Sequence, residues 1–155
     1  MFERYPETSV RALFAARSTA VLGGAPFIDV EHLVAGAIEA WSAAGSRRAE
    51  VLQKLGLTVL SIPPGAVHPD IEFSPAAKRV LHEAMSQADR LGHHRIRPEH
   101  LLLAALEDPS CLTATILRDV GLERDVLVQS AAQDANVDDS PLGYKAHLEA
   151  RIIDP

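Results

Sequence analysis

The segment Gly92-His93-His94-Arg95-Ile96-Arg97-Pro98-Glu99-His100-Leu101-Leu102-Leu103 has a counterpart sixty-eight residues upstream, in Gly24-Ala25-Pro26-Phe27-Ile28-Asp29-Val30-Glu31-His32-Leu33-Val34-Ala35. At that offset residues 5–39 and 73–107 align without a gap and share twelve identities: Arg11 with Arg79, Leu13 with Leu81, Ala16 with Ala84, Ser18 with Ser86, Ala20 with Ala88, Gly24 with Gly92, Ile28 with Ile96, Glu31 with Glu99, His32 with His100, Leu33 with Leu101, Ala37 with Ala105 and Glu39 with Glu107. Tyr5 opposite Phe73, Val34 opposite Leu102 and Ile38 opposite Leu106 keep the chemical character where identity fails. Ungapped self-similarity of this length marks a tandem duplication. The chain must therefore build one supersecondary unit twice.

That unit reads as helical. Over residues 8–22, Val10, Leu13, Phe14, Arg17 and Val21 recur at spacings of three and four, with Ala12, Ala15, Ala16 and Ala20 between them, which predicts a closely packed helix. Gly23-Gly24-Ala25-Pro26 ends it, because Pro26 cannot donate into a continuing helical ladder. Asp29 is the expected N-cap of a second helix, to about Trp41, that buries Leu33, Val34, Ala37, Ile38 and Trp41. Ser46 is expected to cap a third, closed at Gly56, and the same ending recurs at Val120-Gly121-Leu122. The offset there has shrunk to sixty-five, so the second copy lacks three residues of the loop at 41–46, and loops absorb such changes better than helices.

The fourth helix of the first copy is expected to be short or broken, since 57–62 is brief and β-branched before Pro63-Pro64-Gly65. Ser74-Pro75 is a strong helix start, a capping hydroxyl followed by proline at the first helical position, and that helix is expected to reach about Leu91. Pro98 begins the next, Pro109 or Ser110 a third, and residues 122–132 a fourth. The pattern dissolves from Asp134 onward, although 144–153 has the makings of one more exposed helix.

Composition narrows the function. The chain has 155 residues, 47% of them hydrophobic, with a formal charge of -6, and dispersed cations outnumbered by acids argue against nucleic-acid binding through phosphate neutralisation. The single cysteine, Cys111, allows no internal disulfide and is expected to be a free, buried thiol; with no secretory leader pattern and no membrane-length apolar run, the expected setting is cytoplasmic, with no membrane partner. His93, His94, Glu99 and His100 lie close in sequence, but the pairing His-Glu-x-x-His is absent, so no metal is expected. No nucleophile elbow and no phosphate-cradling loop occur, so neither catalytic residues nor a cofactor are expected.

Met1-Phe2-Glu3-Arg4-Tyr5, the duplicated helical pattern, Leu91-Gly92-His93 before the loop, and Glu99-His100-Leu101-Leu102-Leu103 together resemble the double Clp repeat, the N-terminal domain of ClpC- and ClpA-type unfoldases. The resemblance covers Met1 to about Ala132. It implies an all-α, pseudo-twofold pair of four-helix repeats, at 1–66 and 67–133, followed by a tail at 134–155. It also implies a monomeric recognition domain without catalysis, whose partners are a Clp unfoldase or its substrates and adaptors. If the protein ends at Pro155, it is expected to stand alone as an adaptor, or as a decoy that sequesters cyclic-peptide antibiotics and so confers tolerance. Otherwise it is the receptor end of a larger ATPase that recognises proteins marked by phosphoarginine.

Two sets of residues follow from the resemblance. Glu31 and Glu99 correspond to glutamates that receive phosphoarginine, with Arg97 as a basic neighbour in the second copy and Asp29 facing the anion's approach in the first. The same carboxylates, each in the first turn of a helix, also favour the helix dipole by about 0.3–1 kcal/mol without any ligand. His32 and His100 are expected to bond the preceding loop through a ring nitrogen. Phe2, Phe73 and Lys78 correspond to a groove occupied by macrocyclic peptide inhibitors; the alternative is that the two rings only close the core between the repeats.

Overall fold

The computed structural model describes residues 3–59, 70–108 and 111–138, and these are all-helical. The first copy contributes α1 (Glu7–Leu22), α2 (Val30–Ala40), a 3-10 turn at Ser42–Ala44 and α3 (Ser46–Leu55). The second contributes α4 (Pro75–Arg90), α5 (Pro98–Leu106), α6 (Leu112–Asp119) and α7 (Arg124–Asp138). Leu57 to Val59 carry no helix, and the rest of the expected weak fourth helix of the first copy lies outside the described residues, as do Phe2, the expected start at 109–110 and the tail segment 144–153.

Local chemistry sets most of the boundaries. The Ser74 hydroxyl accepts from the Ala77 amide at 3.0 Å, with Pro75 at the first position where a missing N–H costs nothing. Asp29 caps α2 through its own carboxylate. Gly56 and Gly121 both sit at positive φ, 67° and 81°, and let the chain fold back so that the amides of Leu57 and Leu122 bond the carbonyls of Leu52 and Leu117 at 3.2 and 2.8 Å. That closure removes Leu122 from the next helix, which starts at Arg124 rather than at Leu122 and runs to Asp138, six residues past its expected end. Ser46 turns out to lie inside α3 after Gly45, with no side-chain cap bond.

Helices α2 and α5 form the centre. Every residue of α2 from Val30 to Ile38 except Glu31 is buried, and so is α5 from Pro98 to Ala105, the pattern of helices covered on all sides. Around them α1 packs on α2, while α4 and α7 pack on α5, and α2 meets α5 between the copies. The α1–α2 contact is so close that only small groups fit: Ser9, Ala12, Ala16 and Ala20 are at most 1% exposed on α1, and the backbone at Ala12 and Ala16 lies against Gly36 of α2. Phe14, one of the residues at three and four spacing, is 64% exposed and lies off the small-residue face that meets α2.

The two copies hold each other by exchanging their leading segments. The Ile28 amide of the first copy bonds the Glu72 carbonyl at 2.8 Å, and the equivalent Ile96 amide of the second bonds the Arg4 carbonyl at 3.0 Å. The return bond differs. The Ser74 amide reaches the Ile28 carbonyl at 2.9 Å, but the residue equivalent to Ser74 is Pro6, which has no N–H. The Ser9 hydroxyl takes over, donating to the Ile96 carbonyl at 2.6 Å in a buried setting. Ser9→Ala should therefore leave a buried carbonyl unpaired and cost about 1–3 kcal/mol in a urea melt; no loss of stability would mean that the hydroxyl is dispensable.

Candidate functional site

Of the first expected site, the groove of Phe2, Phe73 and Lys78, the described residues include Phe73 and Lys78, and Phe73 forms a seam with Ile28 through a parallel bridge. Main-chain bonds fix Phe73 on both sides, through Glu72 and Ser74, and the Ser74 hydroxyl also donates to the Asp29 carboxylate at 2.8 Å, which ties the start of α4 to the start of α2. The Phe73 ring is half-buried against the core, and Lys78 projects to solvent from the first turn of α4. Phe27, one residue before the bridge, is 47% exposed. The seam therefore presents a partly buried aromatic residue whose backbone is held on both sides, and Lys78 is exposed in the first turn of the helix that follows. Phe2 lies outside the described residues.

The second expected site divides between the copies. Glu31 is exposed on the first turn of α2. Its helix N-terminus is already occupied: the Asp29 carboxylate accepts from the Val30 amide at 2.8 Å and from Ser74, and the Asp29 amide donates to His32 Nδ1 at 2.9 Å.

Glu99 is 1% exposed and Arg97 is 5% exposed, both covered by α7. The Ser130 hydroxyl of α7 donates to Glu99 Oε2 at 3.1 Å, and the Ser130 Oγ in turn accepts the indole N–H of Trp41 at 3.0 Å. Arg97 Nη2 donates to the Asp134 carbonyl at 3.2 Å. Burial, joined by the neighbouring Asp134 carboxyl, pushes the Glu99 carboxyl up to about 8. At neutral pH it is mostly a neutral acid, not the carboxylate that a guanidinium pairs with.

Both histidines play the expected structural part. His100 Nδ1 accepts from the Arg97 amide at 2.8 Å, as His32 Nδ1 does from Asp29. Burial holds both rings below the ordinary histidine range; His100 falls to about 3, with the charges of His93, Arg97 and Arg4 adding to the effect. With Nδ1 accepting, the proton of His100 sits on Nε2 and faces His93 Nδ1 at 3.0 Å.

The sequence reading did not anticipate Trp41, Ser130 and Asp134 meeting around Glu99. Nor did it anticipate Arg4, whose guanidinium bonds the His93 and His94 carbonyls and pairs with Asp89 at 2.8 Å. Cys111, expected buried, is only half-buried, with its sulfur 2.9 Å from the Thr113 hydroxyl. Among the described residues no group of three or more His, Cys, Asp and Glu side chains is placed to hold a metal ion, and no helix is long and apolar enough to cross a membrane.

Known proteins share this architecture. Residues 72–143 match the family of the Clp repeat (R) N-terminal domain. In an alignment of 133 residues that covers 79% of this chain, it is 30% identical to the chloroplastic ClpA homolog described as an ATP-dependent Clp protease ATP-binding subunit from Brassica napus, and equally to the chloroplastic chaperone protein ClpC1 of Arabidopsis thaliana. It spans only 15% and 14% of those proteins. The crystal structure of the N-terminal domain of the ClpD chaperone from Arabidopsis thaliana superposes with a TM-score of 0.65 at 20% identity, covering 86% of this chain and 96% of that one. The Hsp104 N-terminal domain from Candida albicans gives 0.61 at 20% identity, covering 83% and 89%. The family match falls on the second copy, the duplication extends it to the first, and the relatives and the shared fold span both: the chain belongs to the Clp repeat family as a domain of the ClpC and ClpA N-terminal type.

Proposed function

We propose that the chain is a non-enzymatic recognition domain of a Clp proteolysis system, acting in the cytoplasm as a monomer, that takes peptide segments, adaptor surfaces or macrocyclic peptide inhibitors along the seam at Phe73 and Lys78, with Phe2 contributed by the chain start. One observation carries this reading: Phe73 is held by main-chain bonds on both sides, yet remains only partly buried. A pre-organised aromatic edge offers a peptide apolar contact at little entropic cost. Bound there, the chain would hand a substrate to an unfoldase as an adaptor, or withhold an inhibitor from it as a decoy.

Calorimetric titration with a macrocyclic peptide inhibitor of Clp unfoldases tests the proposal. Saturable binding is expected, weakened about thirtyfold by Phe73→Ala, the effect of losing an aromatic anchor worth about 2 kcal/mol. Full affinity in that variant would exclude the seam.

A second reading, recognition of phosphoarginine-marked proteins, is favoured in the first copy by the exposure of Glu31, a carboxylate open to a guanidinium. The Asp29 carboxylate beside it opposes the phosphate, so weak binding that is lost in Glu31→Ala is the most this reading allows.

A further inference from the structure

The two copies differ where α4 meets α5. A methyl at Gly36 of the first copy would lie 2.1 Å from the Ala12 carbonyl oxygen, so the methyl that Ala104 carries at the equivalent place requires α4 to stand further from α5 than α1 does from α2. Val80, in place of Ala12, does not close the space. An open groove of about 540 Å³ remains, lined by Ala76, Val80, Ala104, Ala105 and Cys111. A charge is left over at the same place. Arg11 of the first copy bonds Glu7, one turn before it, at 2.7 Å, but the residue equivalent to Glu7 is Pro75. Arg79 therefore stands exposed on the groove, with no side-chain hydrogen bond or ion pair among the described residues.

We propose that this groove is a docking site for a peptide segment of a partner protein, which lays small apolar side chains between α4 and α5 and sets a carboxylate against Arg79. The other charges on the groove are already engaged. Glu83 Oε1 receives Arg90 at 2.9 Å and Gln87 at 3.2 Å, and Glu107 Oε1 receives Gln87 at 2.7 Å. Asp108, whose carbonyl accepts from the Cys111 amide, has an interaction of its own as well. Arg79 is left as the one charge that an incoming group can satisfy, and a guanidinium takes a carboxylate through two parallel bonds. The apolar lining consists of short side chains, so it offers a shallow surface that peptide side chains can cover and gives a small acid little to hold. Neither Phe73 nor Lys78 lines the groove, so it is a second surface, separate from the seam.

Cys111 is the single cysteine of the chain and lines the groove, so its alkylation by iodoacetamide reports occupancy directly. The probes are a panel of N-acetylated, C-amidated pentapeptides with one aspartate among alanine, valine and leucine, the same panel with asparagine in its place, and hexanoate as a small apolar acid. Members of the aspartate panel should slow alkylation several-fold and saturably, and the asparagine exchange or Arg79→Gln should weaken that protection about fivefold or more. Phe73→Ala should leave it unchanged. Alkylation that no aspartate peptide slows, equal protection by the asparagine panel or in Arg79→Gln, protection by hexanoate as strong as by the peptides, or protection lost in Phe73→Ala overturns the proposal.

Discussion

Gly36→Ala is expected to destabilise the protein by about 2 kcal/mol or more, even though alanine is the better helix former by roughly 1 kcal/mol. A methyl group at Gly36 would sit 2.1 Å from the Ala12 carbonyl oxygen, 3.0 Å from the Ala16 amide nitrogen and 3.1 Å from the Ala12 carbonyl carbon. All three are backbone atoms of α1, so no side chain can swing aside, and α1 must move off α2 as a body. Overpacking of that kind outweighs the propensity gain. The loss corresponds to a melting temperature lower by about 5–8 °C. The second copy supplies the control: its equivalent residue is Ala104, 4% exposed, which shows that the α4–α5 contact accepts a methyl. Ala104→Gly should cost only about 1 kcal/mol. Thermal melts that leave Gly36→Ala as stable as the parent would mean that α1 and α2 are not this close.

The second large effect is a fall in stability with rising pH between about 6.5 and 8. Glu99 has a folded pKa raised above its unfolded value, to about 8, so the folded state holds a proton that the unfolded chain has released, and stability declines as pH rises toward 8. The buried histidines act in the opposite sense. Their folded pKa values are depressed, His100 to about 3, so stability is lost as pH falls below the unfolded histidine value near 6.5. From about 4.5 to 6.5 the slopes of Glu99 and His100 cancel; above 6.5 only that of Glu99 remains. Over that upper window the loss should be about 2 kcal/mol, and Glu99→Gln should flatten it and exceed the parent's stability at pH 8. Urea melts at pH 6.5, 7.2 and 8 measure both. An equal slope in parent and variant would remove Glu99 as the cause.

What could be read from the sequence was what depends on near neighbours. His32 and His100 were readable because a ring three residues into a helix can reach back to the cap amide wherever that spacing occurs. The starts at Asp29 and Ser74, and the left-handed endings at Gly56 and Gly121, rest on contacts spanning five residues or fewer. The place of Phe14 could not be read the same way, since a three-and-four spacing marks a face but not how near the facing helix comes.

Glu99 is the clearest case. Its spacing and its match to Glu31 assign the two acids one role, but their surroundings are set by residues far along the chain: Trp41, Ser130 and Asp134, the last of which fell in the expected tail. Duplicated positions kept their backbone geometry while their environments diverged. Phe73 was singled out through resemblance alone, and the structure adds the main-chain bonds among Ile28, Glu72 and Ser74 that hold its backbone.

Amide chemical-shift mapping of a bound macrocyclic Clp inhibitor on the isotopically labelled chain distinguishes the seam from the interior of the second copy in a single experiment. The expected result is that the amides of Ile28, Phe73, Ala77 and Lys78 move most as ligand is added, while those of Glu99, His100 and Ser130 stay in place. Changes centred on Glu99 and Ser130, or no saturable change at all, would contradict a recognition surface at Phe73.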